Sequence, residues 1–85
     1  LTLLNDEMYM EIAKGLANQA IRDLGSGASQ KQIARQIFRR LLVREPDQRE
    51  LIDIVSFADS LDQGQDRWTL VARALMNTDE AISIP

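Results

Sequence analysis

The sequence predicts an all-α domain, a compact four-helix fold within 85 residues. Three observations carry that prediction. Apolar residues recur at helical spacing in four stretches, and no segment alternates with the period of a strand. Residues of helix-capping type stand at the start of each stretch, and glycine or proline stands near the end of three. The chain also has no histidine and no cysteine. Helix packing is therefore specified in detail, whereas no imidazole base, thiolate or usual zinc ligand set is provided.

The first helix starts at a cap supplied by Asn5 or Asp6, with Asp6 and Glu7 near its positive end. Its stripe is Met8/Tyr9, Ile12/Ala13, Leu16/Ala17, Ala20/Ile21 and Leu24, paired positions recurring every four residues, and Gly25-Ser26-Gly27 ends it. Ser29 and Gln32 form a capping box for the second helix, which should bury Ile33, Ala34, Ile37, Phe38, Leu41 and Leu42. Pro46 is expected to stop it, because a residue before proline is pushed out of helical geometry.

Asp47 and Glu50 form a second capping box, and Pro46 and Leu51 occupy the flanks of a hydrophobic staple. The third helix should bury Leu51, Ile54, Val55, Ala58 and Leu61, with Gly64 as its stop. The Pro-containing turn between helices two and three is expected to be the tightest connection. Asp66 caps a short fourth helix with Trp68, Val71, Ala72 and Leu75 in its stripe, and Leu70 and Ala74 on the opposite side. A helix apolar nearly all round is either central to a bundle or half of a contact with something else.

A single domain spanning 1–85 follows from length. The apolar runs are far below the roughly 18 residues of a membrane span, so no membrane insertion is expected. The chain opens Leu1-Thr2-Leu3-Leu4 without an initiator Met and reads as a piece excised from a larger protein, with any signal lying upstream. Net charge is −3, which exerts no pull on nucleic acid or anionic lipid.

The candidate chemistries each meet a plainer explanation. Lys31, Arg35, Arg39, Arg40, Arg44 and Arg49 form a basic stretch, and Ser29 to Ala34 has a helix-turn-helix flavour. The arginines, however, flank both edges of the apolar stripe as a solvated amphipathic face would. Asp53, Asp59, Asp62 and Asp66 follow and would repel phosphate. Glu7 and Glu11 are neighbours on one helix, not carboxylates facing each other across a cleft. In the loop Asp59 to Asp66, an EF-hand register anchored on Gly64 places leucines, Leu61 and Leu70, at ligand positions. Met8, Met10 and Met76 read as core gap-fillers and Trp68 as the main core anchor. No catalytic, cofactor-binding or metal residue is assigned.

Three stretches in order resemble a known family. They are Leu3-Leu4-Asn5-Asp6 with Ala13-Lys14-Gly15-Leu16-Ala17 after it, then Ile37 to Pro46 with Glu50-Leu51, then Trp68 with Ala72 to Glu80. Together they resemble the C-terminal end of the planctomycete-specific domain of unknown function that accompanies cytochrome-c-like domains in large exported proteins. Val43 sits where that family commonly has glycine, Asp47 replaces its usual threonine cap, and Ala81 replaces an aromatic. The resemblance implies an extracytoplasmic setting, periplasmic or cell-surface. It places no haem here, because Cys-x-x-Cys-His is absent.

The expectation is thus a non-catalytic structural or interaction module at the C-terminal end of a larger exported protein. An alternative is one wall of an active site whose catalytic residues lie upstream; a helix-turn-helix nucleic-acid binder ranks below both. The expected interface gathers Leu70 and Ala74 with the apolar ends, Leu1, Leu3, Ile82 and Ile84. Its expected partner is the upstream region of the parent protein, with self-association of the isolated chain through the same patch.

Overall fold

A computed structural model describes residues 6–61 and 66–78, and these form four α-helices with no strand among them. In chain order they are α1 (Asp6–Leu24), α2 (Gln30–Leu42), α3 (Gln48–Asp59) and α4 (Arg67–Met76). Both capping boxes form. The Ser29 hydroxyl accepts from the Gln32 amide at 3.1 Å, and the Gln32 side chain accepts from the Ser29 amide at 2.8 Å. Asp47 and Glu50 make the same reciprocal pair at 2.8 Å each way. The Asp66 carboxylate caps α4 by accepting from the amide of Thr69 at 3.3 Å. It also accepts from the buried Thr69 hydroxyl at 2.5 Å.

Gly25, at φ +82, closes α1 in the left-handed conformation that glycine adopts without strain. Its N–H donates to the carbonyls of Ile21 and Arg22.

α2 and α4 form the central pair. Each touches all three other helices, while α1 and α3 share no contact among the described residues. α1 thus covers one side of the pair and α3 the other. The central position of α4 accounts for the buried part of its apolar surface, Trp68, Val71, Ala72 and Met76, and leaves Leu70 and Ala74 outside that account. The core takes Ala13, Ala17 and Ala20 from α1, and Ile33, Ala34, Ile37 and Phe38 from α2. α3 adds Ile54 and Ala58, and α4 adds Trp68, Val71, Ala72 and Met76. Trp68 is 8% exposed, in the anchoring place its sequence position predicts.

Several expectations are corrected. The buried face of α1 is centred on its alanines, so Met8 and Ile12 stand 47% and 42% exposed. Small side chains let the α1 backbone approach its neighbours closely, while Tyr9, Leu16, Ile21 and Leu24 pack at the margins and Met8 and Ile12 are turned outward. Of the three methionines only Met76 fills the core; Met8 and Met10 lie at the surface. Leu41, Leu42, Leu51, Val55, Leu61 and Leu75 are half-buried, because they sit at the margins of faces centred on Ile37 and Phe38, Ile54 and Ala58, and Val71 and Ala72.

The helix ends move as well. α2 stops at Leu42, and the stop is Val43, not Pro46. Val43 is left-handed at φ 56, and its N–H donates to the Arg39 carbonyl at 3.0 Å. α3 ends at Asp59, where the Ser60 amide and hydroxyl both donate to the Phe57 carbonyl. The expected stop Gly64 lies outside the described residues, as does Asn5. The α2–α3 connection, residues 43–47, matches the α1–α2 connection, residues 25–29, in length, so it is not the tighter of the two.

Candidate interaction surface

The basic stretch resolves into a mesh of ion pairs around the α2–α3 connection. Arg35 Nε donates to Glu45 at 2.9 Å, and Arg39 reaches the same carboxylate at 3.2 Å. Arg44 grips Glu50 with two parallel bonds of 3.0 and 2.8 Å, and a further 3.1 Å bond runs to the Glu45 carbonyl. Its guanidinium also lies 4.9 Å from the Phe38 ring centroid, so cation and core aromatic meet. Arg40 pairs with Asp23, tying α2 back to α1.

The carboxylates respond to these cations. The Arg44 hydrogen bond, aided by the Asp47 amide, holds the Glu50 carboxyl down to about 2. The Arg35 hydrogen bond lowers the Glu45 carboxyl, and Glu45 in turn raises the Arg35 guanidinium. The arginines that resembled a phosphate-binding stripe therefore hold carboxylates of their own chain. The signal available in the sequence was the pairing partners Glu45 and Glu50 at the turn; their geometry was not readable there.

Leu70 and Ala74 lie on the outward side of α4, as their spacing places them. Ala74 is exposed and Leu70 half-buried. Beside Leu70 stands Met10 of α1, 38% exposed, and these two line one shallow depression with Asp66 and Thr69. Met10 is the member of this patch that sequence reasoning missed, having been assigned to the core. The other four expected interface residues, Leu1, Leu3, Ile82 and Ile84, lie outside the described residues.

A second depression lies between α2 and α3, where Leu51, Ile52 and Val55 meet Lys31 and Ser56. The staple residues Pro46 and Leu51 share the wall of an adjoining one. Pairing also extends beyond the turn. The Arg73 guanidinium lies 4.7 Å from the Tyr9 ring centroid, and Arg67 reaches Asp59 at 3.7 Å.

Glu7 and Glu11 are both exposed on α1. Among the described residues no group of three or more Asp or Glu side chains could hold a metal ion, and no helix is long and apolar enough to cross a membrane. Residues 62–65 of the Asp59–Asp66 loop fall outside the described residues.

Fold and surface together define a small four-helix, bundle-like domain with a fastened turn and shallow apolar depressions. Comparison with known protein families, curated proteins and solved structures finds no match.

Proposed function

We propose that this chain is a non-catalytic helical module that docks, through the Met10–Leu70–Ala74 face, onto the upstream region of a larger protein. The observation that carries this reading is the meeting of Met10 and Leu70 on an outward face, beside exposed Ala74. Apolar groups gathered at one open face mark a contact surface more often than scattered ones do. The ion-paired state of Arg35, Arg39, Arg40 and Arg44 favours this reading over nucleic-acid binding, because counterion release needs cations available to phosphate. The placement in an exported planctomycete protein with cytochrome-c-like domains, and the extracytoplasmic setting, rest on the resemblance of the Leu3–Ala17, Ile37–Leu51 and Trp68–Glu80 stretches.

The test is calorimetric titration of the chain with the upstream region of its parent, wild type beside Leu70→Glu. Leu70 is half-buried at the surface, so the variant should keep its helicity while binding weakens at least about tenfold. Undiminished binding by Leu70→Glu, or no binding by the wild type, overturns the reading.

A further inference from the structure

A glycine in the middle of a helix weakens that helix, and it persists where something must approach closely. Gly15 stands in the middle of α1, exposed, and a Cβ built on it would meet nothing within 4 Å. Its backbone is also outside the left-handed region, in contrast with Gly25 and Gly27. Neither packing within the domain nor turn geometry calls for glycine here.

The residues sharing its face have a pattern. Met8, Ile12, Gly15, Gln19 and Arg22 follow one another at alternating four- and three-residue steps, the spacing of a helix–helix seam. All five are exposed, with Met8 and Ile12 among the most exposed large apolar residues of the domain. This seam lies on the side of α1 away from Ala13, Ala17 and Ala20, whose stripe Met10 continues at the N-terminal end of the helix.

Charge then selects the occupant. Glu7 and Glu11, both exposed, flank the N-terminal end of the seam, and exposed Arg22 closes the other. Asp23 at that second end is already held by Arg40, which leaves the end positive. A face acidic at one end and basic at the other is complementary to itself when turned end for end.

We infer that the outward face of α1 is a seam for a second copy of this chain, packed antiparallel with Gly15 at the crossing. Arg22 of each copy then meets the partner's Glu7 and Glu11, and the pairing occurs twice about a two-fold axis. A parallel pair would set like charges together. Without a Cβ at residue 15, the two backbones approach closely enough for Ile12 and Met8 to reach the other helix. One helix pair buries less than the roughly 1,200 Å² of a standard interface, so the dimer is weak and concentration-dependent. The seam is separate from the Leu70 face, and this inference stands or falls independently of the docking proposed above.

Sedimentation equilibrium of the whole chain over a wide concentration range tests it. Arg22→Glu alone, and Glu7→Arg with Glu11→Arg, should each weaken self-association at least about tenfold. An equimolar mixture of these two variants should restore it, because each then offers the other's complement. Gly15→Leu should melt higher, through better helix propensity, yet dimerise at least about tenfold more weakly. Leu70→Glu should self-associate as the wild type does. A monomeric wild type, a mixture that stays monomeric, or a Gly15→Leu chain that associates as well as the wild type overturns the inference. Self-association abolished by Leu70→Glu instead would move the contact to the α4 face.

Discussion

Val43 is the residue whose conformation conflicts with its chemistry. A β-branched side chain at φ 56 is strained, and at 86% exposure it gains no packing in return. Left-handed geometry costs a residue with a Cβ about 1–2 kcal/mol, and glycine returns part of this through greater freedom in the unfolded chain. Val43→Gly should therefore stabilise the domain by about 0.5–1 kcal/mol, visible as a melting rise of several degrees. An unchanged or lowered melt would show that the turn does not hold Val43 under strain. Trp68 is the opposite case, large, buried and on the central helix. Trp68→Ala should cost about 3–5 kcal/mol. The total for a domain of this length is on the order of 4–13 kcal/mol. Thermal melting should show marked destabilisation or loss of the transition; a shift no larger than that of a surface variant would remove Trp68 from the core.

Among the elements, the α2–α3 turn is fastened by charge, and its stability should follow pH. The folded state holds the Glu50 carboxyl down to about 2 from its ordinary 4.5. A lowered carboxyl contributes stability that is fully present above the unfolded value. It is lost as pH falls through the folded one. Wild type should thus lose its advantage over Glu50→Gln between about pH 4.5 and 2, followed by urea denaturation at each pH. A constant gap across that window would mean that Glu50 is not held by Arg44. The cap at the same turn is a separate contribution: Asp47→Ala should cost about 0.5–2 kcal/mol in the same denaturation assay. On the other side of the bundle, the fully buried Ala17 marks the close approach of α1. Ala17→Leu should overpack that contact and cost about 1–3 kcal/mol; a neutral result would show spare volume there.

At the scale of the whole molecule, the two outer helices are unequal. α1 contributes three fully buried alanines and packs closely on the central pair, whereas α3 buries only Ala58 fully and leaves Ile54 8% exposed. α3 also leaves Ile52 and Phe57 54% and 41% exposed. Local opening takes the least-packed unit first. Native-state hydrogen exchange should therefore find α3 amides exchanging at lower opening free energy than those of α4. Equal protection of the two helices would show that the bundle opens only as a unit.

The sequence by itself determined the helices and most of their starts. Capping boxes and apolar periodicity act between residues three or four apart, so Ser29 with Gln32, Asp47 with Glu50, and Asp66 before α4 could be read without knowing any neighbour. The place of Trp68 was legible for the same reason. Where each helix stops was less so, since Val43 adopts a conformation its side chain disfavours and carries no local mark. Only the tertiary structure decided which face of α1 is inside. The paired stripe held Met8 and Ile12 together with Ala13, Ala17 and Ala20, and close helix approach keeps only the alanines inside. It also decided what the arginines do. Their spacing suited a solvated face or a phosphate stripe equally. Their carboxylate partners come from the turn, from α3 and from α1, brought within reach only when the chain folds back on itself.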